Sequence, residues 1–289
     1  MADDFRQALS EAQGMVRRWS AKSGLARSPD ASTLSMAMGS ALAGGKAFRA
    51  FLVLESSRLY DVDEEPRERA AFAIECLHAY SLVHDDLPCM DDDDMRRGRP
   101  TVHREWDEAT AVLTGDALQT LAFQLVSSPQ VGPHAASVSE SLARASMAMV
   151  RGQMADIAAE RVETPLTLQE ITQLQSEKTG ALITWAATAG PQLVGAHSEG
   201  LSRYAKAIGL AFQIADDVLD EIGDAAAVGK AVGKDSAAGK ATFVSHLGLD
   251  GARARARELV EEACDALDTY GDAADTLKQA AQFVVDRTH

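Results

Sequence analysis

Six of the ten residues from Asp85 to Asp94 are aspartate, and Arg96, Arg97 and Arg99 follow at once. Carboxylates crowded this closely repel one another, and Asp is a poor helix former, so the run must be solvated, paired or neutralised by cations. An acidic loop balanced by its own arginines is the ordinary form of such a run. Its neighbourhood argues for more. The preceding segment, Glu68 to Asp86, is apolar almost all round when set on a helix, through Ala70, Phe72, Ile74, Leu77, Leu82 and Val83. That is the pattern of a helix at the centre of a bundle. A carboxylate at the end of such a helix has to be paired, bound to metal or turned to a wet cleft. On an unbroken helix Asp85 and Asp91 diverge by about 120°, so if both serve one site, Pro88 must mark a distortion or a helix end.

The rest of the chain reads as helical too. Only eight prolines occur, none after Pro191, and Ala, Leu, Glu, Gln and Arg are plentiful. Tyr204, Ile208, Ala211, Ala215, Val218 and Ile222 recur at steps of three and four, the spacing of one buried stripe. Ala181 to Ala196 reads as a buried helix, short of the ~20 residues of a membrane span. Pro129 to Pro133 and Thr164 to Pro165 read as turns, with Thr167 an N-cap in capping-box spacing to Glu170. Gly223 to Ala241, rich in Gly, Ala and Lys, reads as a mobile loop or, alternatively, a domain linker. The segment beyond Thr242 is too short for a comfortable core of its own, which favours one domain over residues 1–289.

The formal net charge of −15 argues against nucleic acid as a partner, where a basic face would be needed to replace its counterions. Cys76, Cys89 and Cys264 are odd in number and far apart, which argues against a disulfide framework or a thiolate zinc site. With no basic start or apolar stretch of a secretory signal, the expected location is the cytoplasm, without integral membrane association.

A second acidic pair lies on the Tyr204 helix. Asp216 and Asp220 are four residues apart on one face, with Asp217 beside them. Two such clusters could hold hard cations such as Mg²⁺ together with phosphate oxygens, and bound cations would reverse the local field that an acidic chain presents to an anionic substrate. Basic residues for a diphosphate occur at Lys46 and Arg49 after Gly44-Gly45, at Arg96 and Arg97, at Lys178, and at Lys230, Lys234 and Lys240. Any single lysine is ordinarily a solvating group; the combination is harder to dismiss. His78 and Asp85, seven apart, fall within roughly 20° on a helix and could face one cleft, although a lone histidine on an apolar helix is usually a satisfied core residue.

The segments "HDDLPCMDDDDMRRGRPT" (His84 to Thr101), "GGKAFR" (Gly44 to Arg49), "EKTG" (Glu177 to Gly180), "FQIADDVLD" (Phe212 to Asp220) and "GKAVGKDSAAGKAT" (Gly229 to Thr242) resemble the ordered motifs of the trans-isoprenyl diphosphate synthases, the bacterial farnesyl diphosphate synthases above all. The resemblance implies a single all-α helical bundle of isoprenoid synthase type around a deep apolar cavity with two aspartate-lined walls. It implies a homodimer that condenses isopentenyl diphosphate with dimethylallyl or geranyl diphosphate, farnesyl diphosphate being the expected product.

By the same resemblance Asp85, Asp91 and Asp216 would bind a cluster of about three Mg²⁺ ions, or Mn²⁺, with Asp86 and Asp220 as supporting ligands. Arg96, Lys178, Lys230 and Lys240 would complete the grip on the allylic diphosphate. Lys46, Arg49, His78 and Arg97, with the Gly45 backbone, would hold isopentenyl diphosphate. Thr179 and Gln213 would sit beside the reacting carbons, with helix packing as their ordinary alternative. Ser81 and Tyr80, four and five positions before the first aspartate, would set chain length, Tyr80 favouring fifteen carbons. A helical wheel alone places Tyr80 roughly 140° from Asp85 and does not aim its ring into the cleft.

The family commonly carries a basic residue and a final proline in the glycine motif, where this chain has Ala47 and Ala50; weaker binding of isopentenyl diphosphate is the expected consequence. Phe243-Val244 replaces a common Tyr-Pro. The alternatives are a geranylgeranyl or geranyl diphosphate synthase, a noncatalytic partner subunit, a class I terpene cyclase and a calcium-binding module. Both aspartate motifs are kept, the basic residues count against a cyclase, and no stretch has the spaced oxygens and central glycine of an EF-hand.

Overall fold

The computed structural model describes residues 2–25, 31–159, 165–222 and 241–286. The helices are α1 (Ala2–Lys22), α2 (Thr33–Leu42), α3 (Phe48–Arg58), α4 (Glu64–Asp85), α5 (Val102–Glu105), α6 (Glu108–Val126), α7 (Ala135–Ala159), α8 (Leu168–Gln175), α9 (Ala181–Leu193), α10 (Glu199–Ile222), α11 (Phe243–Asp265) and α12 (Asp275–Asp286). Among the described residues, β-structure is confined to Met95–Arg96 paired antiparallel with Arg99–Pro100. The all-α expectation therefore holds. No helix among the described residues is long and apolar enough to cross a membrane.

The chain divides into two compact units. One comprises Arg6–Glu140 with Ala189–Gly195. Here α4 packs against α3, α6 and α2, and every residue from Ala70 to Leu77 is buried, as its all-round apolar sequence requires. Phe51, Leu52, Phe72, Ile74, Leu77 and Leu118 are wholly enclosed; each such side chain contributes about 1.5–3 kcal/mol. The last residues of α9 approach α3 closely. The Gly190 N–H donates to Ser56 Oγ at 3.2 Å, and a side chain at Gly190 would come within 2.2 Å of the Ser56 carbonyl oxygen.

The other unit comprises Met1–Phe5, Ser141–Thr188 and Ala196–His289. Its central helix is α10, packed on α11 and α12. Tyr204, Ile208, Ala211, Ala215 and Val218 are buried as the stripe predicts, but Ile222, the last residue of α10, is 46% exposed. The Tyr204 hydroxyl donates to the Leu277 carbonyl at 2.8 Å, tying α10 to α12. Thr167 caps α8 with the full reciprocal capping box to Glu170. Between α8 and α9 the chain makes one π-turn, Ser176–Gly180.

Gly190→Ala should lower stability by about 1–3 kcal/mol, because the added methyl meets backbone that cannot swing aside. Calorimetric melting of the variant against the parent measures this.

Candidate active site

Helix α4 ends where the aspartate run begins. Asp85 is its last residue and Asp86 its C-cap. Beyond Pro88 the chain doubles back, so that the Asp91 N–H donates to the Asp85 carbonyl at 2.8 Å and the Asp93 N–H to the Asp86 carbonyl at 3.3 Å. Asp92 reaches this path by adopting a left-handed φ of 51°. The two-residue insertion thus ends the helix, as the Asp85–Asp91 spacing demands, and brings those two residues together.

Asp86 is 4% exposed and receives the Arg96 guanidinium, which also reaches Asp93 at 3.4 Å. Burial pushes the Asp86 carboxyl up from its ordinary value and Arg96 pulls it back. Asp91 and Asp92 are exposed, and Asp94 pairs on the surface with Arg104 at 2.9 Å. The strand pair that follows turns at Arg97-Gly98, both left-handed (φ 53° and 73°), the pattern of a type I′ hairpin. Thr101 fastens the hairpin to the run: its hydroxyl donates to the Asp93 carbonyl at 2.8 Å and its N–H to Asp94 at 3.0 Å.

The glycine motif lies beside this hairpin. Gly44 has φ 74°. A side chain at Gly45 would come within 2.8 Å of Arg97 Nη1, so glycine admits that guanidinium. Arg97 is exposed as a residue, yet its charged end is enclosed enough for burial to lower its pKa. Ala47, left-handed at φ 53°, starts α3 without a side-chain cap. Lys46 is exposed and its carbonyl accepts from the Gln13 side chain at 3.4 Å. Arg49, on the first turn of α3, is half-buried with its Nε enclosed and without a hydrogen-bond partner; burial brings its pKa down to about 10.

Beneath Arg49 and Arg97 lies Glu75 of α4, 7% exposed, whose Oε1 accepts the Ala50 N–H at 2.9 Å. Burial raises the Glu75 carboxyl, and the Ala50 N–H and both guanidiniums oppose that rise. His78 is half-buried, one turn from Glu75 on α4.

Tyr80 is 6% exposed, with its ring edge-on to His84 at 5.8 Å between centroids. His84 in turn bonds the Val112 carbonyl at 3.0 Å, and only glycine at position 115 leaves room for its ring. The Ser81 hydroxyl is turned back onto the His78 carbonyl at 2.9 Å.

In the second unit Lys178 and Thr179 ride on the π-turn, a form that recurs at functional sites. Two glycines let that turn close on its neighbours. A Cβ at Gly152 of α7 would sit 2.2 Å from the Lys178 nitrogen, and one at Gly209 of α10 would touch the Gly180 Cα at 3.5 Å. Gln213 follows Gly209 by one turn, and Asp216 and Asp220 lie further along α10, all three half-buried. Lys178 Nζ donates to Asp156 of α7 at 2.5 Å, and Asp156 is 4% exposed. Asp217 has a different duty from its neighbours: its carboxylate accepts the Phe243 N–H at 2.7 Å and so anchors the start of α11. Lys230, Lys234, Lys240 and the loop predicted from Gly223 lie outside the described residues, apart from Ala241.

Glu75, Gly152 and Asp156 are absent from the sequence-derived set. Asp156 was legible in principle. Leu142, Ser146, Met149, Gly152 and Asp156 recur at helical steps and are all buried, and a carboxylate on such a face requires a partner. Among the described residues no three His, Cys, Asp or Glu side chains form a metal cage by themselves. In each unit by itself, Asp85 and Asp91 in one and Asp216 in the other, the carboxylates are donors of the kind a hard cation takes, and Mg²⁺ commonly completes its shell with water and substrate phosphate oxygens.

The helical fold matches those of solved isoprenoid synthases. A crystal structure of a FPP/GFPP synthase from Zymomonas mobilis, 41% identical, superposes with a TM-score of 0.89 over 98% of this chain and 100% of that one. The polyprenyl synthetase family model matches residues 31–282. The farnesyl diphosphate synthase of Escherichia coli K12 is 43% identical over 260 residues, 86% of each chain. A chloroplastic geranylgeranyl pyrophosphate synthase of Arabidopsis thaliana is 42% identical over 78% of this chain and 65% of its own length. The chain belongs to the polyprenyl synthetase family, as a prenyltransferase of its short-chain trans-prenyl diphosphate synthase group.

Gly152→Ala should displace the π-turn and with it Lys178 and Thr179. Because reacting groups misplaced by an ångström lose about 10²-fold in rate, prenyl transfer should fall by that order while the circular dichroism spectrum stays helical.

Proposed function

We propose that the chain condenses isopentenyl diphosphate with dimethylallyl and then geranyl diphosphate to give (2E,6E)-farnesyl diphosphate. The observation that carries the product length is the burial of Tyr80, fixed edge-on by His84 one turn before Asp85. In this reading the bulky ring ends the space available to a growing chain. The similarity to bacterial farnesyl synthases supports the same length. A twenty-carbon product is the second reading, favoured by the similarity to the Arabidopsis enzyme.

In this reading Asp85, Asp91 and Asp216 hold Mg²⁺, with Asp86 and Asp220 in support. When held there, Mg²⁺ would supply positive charge against that growing on the leaving diphosphate. Arg96 and Lys178, with Lys230 and Lys240, bind the same diphosphate, and Asp156 keeps the Lys178 ammonium in place by a hydrogen bond. The allylic carbon ionises as its diphosphate departs. Arg49, Arg97, Lys46, His78 and the Gly45 backbone hold isopentenyl diphosphate, whose double bond attacks that carbon. Thr179 and Gln213 orient the reacting carbons, and the proton then lost passes to the released diphosphate, so no protein base is required. All of this sits on one catalytic domain over residues 1–289. A cytoplasmic homodimer completes the proposal; the exposed stripe Met147, Val150 and Met154 on α7 supports a second copy.

Purified protein incubated with labelled isopentenyl diphosphate, Mg²⁺ and dimethylallyl or geranyl diphosphate should yield a dominant fifteen-carbon alcohol after dephosphorylation. Tyr80→Ala should shift the product to twenty carbons or more; an unchanged fifteen-carbon product would remove Tyr80 from the argument. Asp85→Asn and Asp216→Asn should each lower kcat by about 10²–10³-fold, the scale of losing one charge-stabilising group.

A further inference from the structure

We propose that Glu75 is a positioning residue for the isopentenyl diphosphate subsite: a buried carboxylate that holds the Arg49 and Arg97 guanidiniums side by side and fixes the first turn of α3 beneath them. The inference rests on the assignment of Arg49 and Arg97 to that diphosphate. It is carried by geometry from three separate segments. From α4, Glu75 is 7% exposed and therefore needs partners from the protein for its charge. From α3, the Ala50 N–H donates to it at 2.9 Å. From the hairpin, Arg97 is held at φ 53° with its guanidinium admitted by Gly45.

Both guanidiniums favour the charged form of the Glu75 carboxyl, as cations near a carboxylate do. Arg49 is depressed by burial and by Arg97, and Glu75 opposes both effects. Without the carboxylate the two cations would splay or take up counterions. With it the two cations keep a compensating charge between α4, α3 and the hairpin. That is the condition in which an incoming oxyanion finds its hydrogen bonds already oriented.

The helix start needs Glu75 for a second reason. Ala47 offers no capping oxygen, and the N–H groups of a first turn require acceptors. Glu75 serves as that acceptor from another helix, with the favourable sign for a helix N-terminus. The alanine at position 50 is what permits it, because a proline there has no N–H to donate. The departure from the usual glycine motif therefore adds a hydrogen bond beneath the arginines.

The test compares Glu75→Gln, which keeps an acceptor but removes the charge, and Ala50→Pro, which keeps the charge but removes the donor. Glu75→Gln should raise the KM for isopentenyl diphosphate at least about tenfold, the scale of a hydrogen bond to a charged group, and Ala50→Pro about two- to tenfold, that of a neutral one. The KM for the allylic diphosphate should be unchanged in both. A purely structural role would instead lower melting temperature and move both KM values together. An unchanged or lowered isopentenyl KM in Glu75→Gln would overturn the proposal, since the carboxylate would then only repel the anion.

Calorimetric titration with inorganic diphosphate in the absence of divalent metal provides an arm independent of catalysis. Binding weakened in both variants is expected, and equal binding in parent and variants overturns the inference. A parent protein that makes no prenyl product overturns the catalytic assignment instead, and leaves the titration to decide the role of Glu75.

Discussion

Helix α4 has no freedom to rotate. Its residues from Ala70 to Leu77 are buried on every side, so any turn of the helix about its axis would drive side chains into packed neighbours, and interiors at crystal-like density do not yield to that. The polar groups that α4 carries are aimed as a consequence. Glu75 is pointed at the start of α3, His78 and Asp85 share one face, and the helix delivers Asp85 and Asp86 at its end. A helix with one apolar stripe could have supplied the same residues, but not with the same certainty of direction.

The second unit reaches a comparable end by close approach. Gly152 and Gly209 remove side chains where α7 and α10 meet the π-turn, so backbone packs on backbone and Lys178 is held within reach of a buried aspartate. Charge is treated alike in both units. Asp86 with Arg96 and Asp156 with Lys178 are each pairings of a buried carboxylate with a cation, and buried Glu75 accepts the Ala50 N–H under the electrostatic influence of Arg49 and Arg97. An acidic chain of net charge −15 thereby keeps buried cations beside its carboxylates, which the proposed diphosphate binding requires.

Much of this was legible in the sequence because it rests on local patterns. The stripe from Tyr204 to Val218, the capping box at Thr167 and the helix end forced by Pro88 all follow from spacings within one segment. Ile222 misled because a stripe records which face is apolar, not which of its residues is covered. Glu75, Gly152 and Asp156 were missed because their partners lie twenty or more positions away and only packing brings them together. The backbone donor that alanine at position 50 supplies to Glu75, and that proline lacks, was equally invisible in the sequence because its acceptor lies twenty-five positions away.

The π-turn at Ser176–Gly180 also bears on how the chain can tolerate change. Such a turn is one residue inserted into an otherwise continuous helix, and the extra residue is absorbed locally, so α8 before it and α9 after it keep their own packing faces. The turn works as a phase buffer. A lineage could gain or lose that single residue without re-registering either flanking helix, and the change would fall almost entirely on the direction in which Lys178 and Thr179 point. Chemistry at this position is thus separable from the architecture that surrounds it.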